Sequence, residues 1–285
     1  MFAMPVDTKR IQGPEVSVPY DQFLAQQSQQ SNEEAIGKER IDGRKSDELR
    51  EIFLKTAVLS QAKGSAYIEM NNTKVICSVF DPREIPRKSE FSVNGELFCE
   101  FKYAPFSCRR KRGHQQDSEE KEMSAYLKRA LEPAVCRHEF PNLQVDVYAL
   151  VLENDGSALA AAITCAGLAL ADASIPMFDL VVAVQMGISI TGKKFLDPTL
   201  EEEAYCFTLS GSDEKGSFGR VTAAFLPSLE QFSQVVQDGS MVTETYVEVL
   251  KELAHASKDA YRLSQECLLK AVQTSKEIKN AEQKN

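Results

Sequence analysis

The chain has 285 residues, of which 43% are hydrophobic, as expected of a globular protein with one sizeable core or two modest ones. Its formal net charge of −9 argues against a protein that coats nucleic acid with its whole surface, although a local basic patch remains compatible with it. We find no apolar run long enough to span a bilayer and no secretory signal pattern near Met1, so we expect no membrane partner.

The cysteine and histidine content indicates neither disulfides nor a metal site. The seven cysteines are scattered, odd in number and form no CxxC pair, which is typical of reduced thiols in the cytosol or nucleus. The three histidines have no metal-ligand spacing with a cysteine or with one another. We therefore expect no structural zinc, no other metal and no cofactor.

The two ends of the chain are polar. Residues 1–39 include the weakly patterned stretch QFLAQQSQQSNEE, which predicts a mostly disordered arm. The alternative is an arm that docks on a neighbouring protein through its anchors Pro19, Tyr20 and Phe23. At the other end, residues 277–285 predict a charged, frayed tail.

The first part of the folded chain is predicted to be a sheet. The segment 40–50, RIDGRKSDELR, is too charged for a core. Residues 65–70 and 73–80 flank two asparagines, which tolerate the positive φ of a two-residue hairpin turn. Residues 97–103 alternate between apolar and polar side chains and predict a further strand.

A run of four cations follows this strand: Arg109, Arg110, Lys111 and Arg112. The nearest acids along the chain are too few to pair with all four, so several cations are expected to face solvent or a polyanion. Local cations hold phosphates whatever the overall charge of a protein, through counterion release. The run predicts contact with RNA, and the alternative is a solvated loop.

The centre of the chain, residues 143–172, predicts a strand, a glycine turn and a buried helix. Residues 143–152 alternate with a period of two, and residues 154–156 break the pattern. Nearly every residue over 157–171 is small or apolar, so this helix must be wrapped by other elements. The free N–H groups of a helix start attract anions, which allows a phosphate site near Ser157.

The remaining elements predict a mixed α/β (α+β) fold over residues 40–276. A helix is expected over 118–137, with Pro133 as the point at which it can end or kink. Strands are expected over 179–190 and 220–226, and a long amphipathic helix over 243–276. Early hairpins followed by a strand–helix–strand crossover fit this class better than a doubly wound parallel sheet.

Seven short motifs occur in a fixed order along these elements. They are DGR at 42–44, ELR at 48–50, AKGSAYIEMNNTKV at 62–75, YAPF at 103–106, ALEP at 130–133, AGLALADASIPM at 166–177 and LDPTLEEE at 196–203. With them, the sequence resembles the RNase PH family, the phosphorolytic exoribonucleases and their relatives in the RNA exosome ring. Residues 60–66 and 155–162 are most similar to a eukaryotic component of that ring. The resemblance implies an RNase PH-like domain of the ribosomal protein S5 domain 2-like type.

The resemblance also implies where the family's chemistry would lie. Phosphorolysis uses inorganic phosphate to attack the last phosphodiester of an RNA 3′ end, and it needs an anion clamp and carboxylates. The family's clamp is a glycine, a Thr or Ser, and an arginine, matched here by Gly156, Ser157 and Ala158. The guanidinium that would grip phosphate is therefore lost. The family's two carboxylates match Asp197 and Glu203, the second lengthened by a methylene.

A third departure lies at Ser118 and Glu119, where active relatives carry arginines and an acid would repel an anionic substrate. Three departures in one site predict a catalytically inactive chain with no catalytic and no metal-binding residues. Asp197 would then be a remnant or a turn cap, Glu201–Glu203 a solvated acidic face, and Ser157 the N-cap of the central helix.

By the resemblance, the chain would be a non-catalytic structural subunit of the exosome ring that supports 3′-to-5′ RNA processing and degradation, including rRNA maturation, RNA surveillance and mRNA turnover. Its partners would be other RNase PH-like ring subunits, S1/KH cap subunits, RNA in the central channel near Arg109–Arg112, and an associated catalytic nuclease. A location in the nucleus, nucleolus and cytoplasm follows from the family alone.

Two alternatives remain open at this point. The chain would be an active phosphate-dependent 3′-to-5′ exoribonuclease if a partner's arginine completed the clamp. In that case Ala158→Arg changes little, and Asp197→Asn abolishes activity. The other alternative is a binding scaffold unrelated to RNA, which leaves the ordered motifs unexplained.

Overall fold

The structure is a computed structural model that describes residues 40, 42–85, 91–109, 111–208 and 217–282. The N-terminal arm expected over 1–39 and one cation of the basic run, Arg110, lie outside the described residues. The described part has a mixed α/β architecture with two sheets, as the sequence predicted.

The first sheet has five strands in the order β1-β2-β3-β5-β4. They are β1 Ile52–Thr56, β2 Gly64–Met70, β3 Thr73–Glu84, β4 Glu96–Tyr103 and β5 Leu143–Glu153. All neighbours are antiparallel except β4 and β5, which are parallel. The predicted hairpin is confirmed, because Met70 pairs with Thr73 across a turn in which Asn71 has φ 50°.

The second sheet is antiparallel, in the order β7-β6-β8-β9. Its strands are β6 Val182–Ile188, β7 Lys194–Leu196, β8 Phe218–Leu226 and β9 Gln231–Ser240. The sequence did not predict β9. Its sequence, QFSQVVQDGS, is largely polar, its residues are exposed or half-buried, and the strand lies at the edge of the sheet.

The helices are α1 Ser118–Leu131, α2 Ala158–Asp172, α3 Leu200–Thr208 and α4 Thr243–Glu282. The central helix α2 packs against β2 and β3 of the first sheet and against β6 and β8 of the second. Every residue from Ala158 to Leu170 is buried, as its composition predicted. Among the described helices, none is long and apolar enough to cross a bilayer.

Close backbone packing around α2 depends on Gly64 at the start of β2. A Cβ atom there would lie 2.2 Å from the backbone nitrogen of Ala173 and 2.4 Å from the carbonyl oxygen of Ala169. No side chain fits at such distances without backbone movement, so glycine lets β2 contact the C-terminal turn of α2 directly.

One expectation about a charged segment is wrong, and one helix ends near Pro133, before the end of its predicted range. Segment 40–50 reaches the core, because Arg40 and Arg50 are buried and each pairs with a buried carboxylate. Helix α1 ends at Leu131 rather than 137, two residues before Pro133, because proline has no backbone N–H with which to continue the helical hydrogen bonds.

Candidate active-site cleft

The start of α2 opens into a cleft of about 170 Å³. The cleft is bounded by α1, α2, α3 and strands of the second sheet, together with the loop that carries the basic run. Its charged lining residues come from distant parts of the chain: Arg112, Glu119, Glu203, Arg220 and Asp238.

The glycine turn before α2 has an unusual backbone. Gly156 has φ +88°, and a Cβ atom there would lie 2.5 Å from the carbonyl oxygen of Pro198, so the close approach requires glycine. Ser157 follows at φ 54°, which is rare for a residue with a side chain. Its hydroxyl donates to the carbonyl of Pro198 at 3.2 Å and makes no helix cap. Ser157 occupies the predicted N-cap position, but its hydroxyl makes no hydrogen bond to the backbone of the helix start.

The carboxylate of Glu203 takes the place of an anion at this helix start. Its Oε1 accepts the backbone N–H of Ser157 at 2.8 Å and the side-chain amide of Gln185 at 2.5 Å. Its Oε2 lies 3.3 Å from Nη1 of Arg220. Burial raises the pKa of Glu203 above its usual value, although these donors act in the opposite direction. Glu203 is thus a buried, hydrogen-bonded group, not part of a solvated acidic face.

Asp197 is a buried counter-ion. Arg50 approaches it with two guanidinium nitrogens, at 2.6 Å and 2.8 Å, and also donates its backbone N–H. Burial acts to raise the pKa of Asp197, but the charge and hydrogen bonds of Arg50 outweigh it and hold the pKa below its usual value. Asp197 thus has a structural role, since it pairs with a residue 147 positions away, and the expectation of a remnant or turn cap did not include this role.

The Arg50–Asp197 pair also fixes the glycine turn. The guanidinium of Arg50 donates to the carbonyl oxygens of Asp155 at 3.0 Å and of Gly156 at 3.2 Å. It donates to the hydroxyl of Thr73 at 3.1 Å as well. The ion pair therefore connects ELR, the turn before α2 and the start of LDPTLEEE, which lie far apart in sequence.

The other two acids of α3 have different surroundings. Glu202 is buried and forms a bidentate pair with Arg40, with both distances 2.8 Å. Glu201 is partly exposed and pairs with Arg109 at 2.8 Å. The predicted solvated face over Glu201–Glu203 is wrong for Glu202 and Glu203, because both of these side chains are buried.

The basic run is less free than the sequence suggested. Arg112 pairs with Glu119 at 2.8 Å, and its guanidinium lies 4.5 Å from the ring centroid of Tyr103. Arg109 pairs with Glu201, while Lys111 is exposed. Glu119 therefore neutralises a cation at the cleft, rather than simply repelling a substrate.

Arg220 and Asp238 are cleft residues that were not predicted from the sequence. They lie opposite each other in the β8–β9 register, and Nε of Arg220 donates to Asp238 at 2.8 Å. The sequence did contain an indication for Arg220, because this residue is a single cation in the otherwise apolar strand FGRVTAAFL. Its partner could not be identified, because β9 itself was not predicted.

The chemistry of the cleft follows from these pairs. Two guanidinium groups, of Arg112 and Arg220, face three carboxylates, and each guanidinium already contacts a carboxylate. An incoming phosphate would have to displace a carboxylate before it met a cation. Within the part of the chain that the structure describes, we find no group of three or more His, Cys, Asp or Glu residues able to hold a metal ion.

Comparisons with known proteins agree with this fold. Residues 48–176 match the 3′ exoribonuclease family (RNase PH), domain 1. The chain is 36% identical over 283 residues to the human exosome complex component MTR3, covering 94% of this chain and 96% of the relative. It is also 36% identical over 246 residues to the exosome complex component Rrp41 of Pyrococcus furiosus, covering 86% of this chain and 94% of the relative.

A solved structure supports the same relationship. The crystal structure of rice Rrp46 superposes with a TM-score of 0.64 at 27% sequence identity, covering 79% of this chain and 98% of that chain. The RNase PH-like fold implied by the seven motifs is thereby confirmed. The chain is similar to exosome components from both a eukaryote and an archaeon, and it belongs to the RNase PH family.

Proposed function

We propose that this chain is a non-catalytic subunit of an exosome-type ring, in which it contributes architecture and RNA contact. The observation that carries the proposal is the carboxylate of Glu203 on the N–H of Ser157, at 2.8 Å. An internal anion thus holds the helix start where active relatives would bind phosphate. Beside it, Ala158 supplies only a methyl group in place of the family's arginine.

The sizes of the missing electrostatic interactions favour a loss of phosphorolytic activity. A helix start carries about half a positive charge, which is a weak substitute for a guanidinium that grips phosphate with two hydrogen bonds. Removing one preorganised donor from an active site costs on the order of 10² to 10³ in rate. Here the arginine is absent, and the N–H of Ser157 already donates to Glu203. Both losses therefore weaken the binding of the same phosphate.

The similarity to MTR3 and to Rrp41 supports a role in an exosome complex. By this proposal the partners are other RNase PH-like subunits, cap subunits, RNA in the central channel and an associated nuclease. The chain would act in the nucleus, nucleolus and cytoplasm in 3′-to-5′ processing and degradation of RNA.

Ring membership is tested by co-expression of the tagged chain with the other RNase PH-like chains of its own genome. We expect one complex with a single copy of this chain, measured by native mass spectrometry. A chain that remains alone with every such partner would contradict the proposal.

Charge reversal in the basic run is expected to weaken RNA binding by the assembled complex. We expect Arg109→Glu with Lys111→Glu to lower single-stranded RNA affinity about tenfold at low salt and to reduce the salt slope by about 1 to 1.5, because two phosphate contacts are lost. Fluorescence anisotropy across a salt series measures both quantities. The matched control is Lys258→Glu with Arg262→Glu, two exposed cations on α4. Equal losses in the two double variants would contradict a local RNA contact.

A further inference from the structure

A groove lies between the segment around the ELR motif and the long helix α4. It has a volume of about 960 Å³. One wall consists of residues 45–50 and 52. The other wall is one face of α4, because its lining residues recur at spacings of three and four: Glu252, His255, Ala256, Asp259 and Leu263. This concavity is called the α4 groove below.

The lining of the α4 groove is partly apolar. It includes five large hydrophobic side chains: Leu49, Ile52, Met186, Leu196 and Leu263. Leu263 is 40% exposed, and Leu49 and Ile52 are half-buried. An apolar side chain that covered these residues would remove hydrocarbon surface from water on both sides of the contact. The α4 groove therefore favours an occupant with an apolar side chain.

Carboxylates outnumber cations along the two walls. The lining contains four acids and two lysines: Asp47, Glu48, Glu252, Asp259, Lys45 and Lys194. Lys194 already pairs with Glu252 at 2.8 Å, and a third cation, Arg50, is neutralised by the buried pair described above. Asp47 and Asp259 are exposed on opposite walls. The α4 groove therefore favours an occupant with cations, and it would repel a phosphate backbone.

The N-terminal arm joins the fold beside this groove. Residues 1–39 precede Arg40, whose guanidinium donates to the carbonyl oxygens of Lys45 at 3.1 Å and of Leu196 at 3.0 Å. Both of these residues line the α4 groove. A segment tethered so close acts at an effective concentration on the order of millimolar, which a separate partner would have to reach in solution. The arm of the same chain is therefore the favoured occupant.

One stretch of the arm has the complementary chemistry. The arm contains three cations, and two of them, Lys9 and Arg10, are adjacent to each other and followed by Ile11. The third cation stands next to an acid in the dipeptide KE at 38–39. The aromatic anchors within residues 19–23 surround an acid and have no cation. The acidic walls therefore select the stretch around the two adjacent cations.

The dimensions of the groove agree with this stretch. The α4 wall over residues 252–263 is about 17 Å long at the rise of a helix. Residues 6–11, VDTKRI, span about 20 Å when extended. Residues 12–39 connect them to the fold, and a random coil of this length spans on the order of 30 Å. The connection is thus long enough to bring the stretch into the groove.

The side-chain directions of an extended segment also fit two acidic walls. Three successive side chains of a polyproline II segment point in three directions. Two adjacent cations can therefore reach opposite walls while the next residue contacts the apolar lining. We propose that residues 6–11 of the N-terminal arm dock in the α4 groove of the same chain, with Ile11 on the apolar lining and the two cations at the exposed acids. This contact lies within one chain, so it does not depend on the proposed ring function.

Photo-crosslinking of the purified full-length chain tests this contact. Gln12→p-benzoylphenylalanine places the reactive group directly after the docking segment, and mass spectrometry identifies the crosslinked peptides. We expect the crosslinks to fall on residues 45–52 and 252–263. Lys9→Glu with Arg10→Glu should lower their yield about tenfold, because two exposed attractions become repulsions.

Two further variants separate the position of the charges from their sum. Asp47→Lys with Asp259→Lys changes two exposed residues and, combined with the arm reversal, should restore most of the lost yield. The matched control gives the arm the same change in net charge outside the docking segment, through Gln26→Glu, Gln27→Glu, Gln29→Glu and Gln30→Glu. This control should leave the yield unchanged.

Loss of the groove crosslinks on arm reversal, with recovery in the combined variant, would support the proposal. Crosslinks on other surfaces of the chain, or equal yields from the reversed arm and the matched control, would overturn it. Crosslinked dimers would make the occupant the arm of a second copy and would overturn it as well. The same holds for crosslinks that form only with co-expressed RNase PH-like partners and fall on those partners, because the arm would then dock on a neighbour.

Discussion

Replacing Arg50 by methionine is expected to lower the free energy of unfolding by about 3–5 kcal/mol, because it leaves the buried carboxylate of Asp197 without its partner. The side chains of both residues are at most 1% exposed, so water cannot replace the lost guanidinium. The glycine turn loses its donors to Asp155 and Gly156 in the same step. Urea denaturation measures the change.

Two controls define the cause of this loss. Arg262→Met removes a cation that is 80% exposed and should change stability by no more than about 0.5 kcal/mol. Arg50→Met with Asp197→Leu should recover part of the deficit, because no unpaired charge then remains buried. A double variant that is less stable than Arg50→Met would show that packing, not charge, governs this site.

The deficit of Arg50→Met should also depend on pH. Because the pKa of Asp197 is lowered in the folded protein, its stabilising effect is present above the unfolded pKa of about 4 and is lost as the pH falls through the folded pKa. The difference between wild type and variant should therefore be largest near neutral pH and shrink below about pH 4. A difference that grows on acidification would contradict the ion-pair explanation.

The second large effect concerns the helix start. We expect Ala158→Arg alone to leave phosphate affinity unchanged, because the new guanidinium would pair with Glu203 in the same cleft. Ala158→Arg with Glu203→Ala removes that competing anion and frees the N–H of Ser157. For this double variant we expect at least a tenfold gain in affinity for inorganic phosphate, measured by isothermal titration calorimetry.

The matched control for this experiment is Ala158→Arg with Glu201→Ala, which removes an acid on the same helix that pairs with Arg109 instead. This variant should bind phosphate no better than the wild type. An equal gain in both double variants would show that general loss of negative charge, not the position of Glu203, controls anion binding.

Short stretches of sequence predicted those helices and strands whose conformation depends on a few neighbouring residues. The hairpin around Asn71 followed from turn chemistry, and the buried helix α2 followed from its small and apolar composition. The strand β9 was not predicted, because its side chains are largely polar and its apolar and polar residues do not alternate.

The ion pairs of the site could not be predicted, because their partners are distant in sequence. Arg40 pairs with Glu202, 162 positions away, and Arg50 pairs with Asp197, 147 positions away. From the sequence, their segments resembled solvated loops and an acidic face. Charge pattern alone does not distinguish such a surface from pairs that become buried when two segments meet.

We expect that the helix start, held by Glu203 and lacking an arginine at position 158, does not support phosphorolysis. This expectation is tested most directly by measuring nucleoside diphosphate release from single-stranded RNA by the purified, folded chain with phosphate and magnesium, beside an active family member. We expect no release above background from this chain. Release that depends on phosphate and disappears in Glu203→Gln would contradict this expectation and identify the chain as an exoribonuclease.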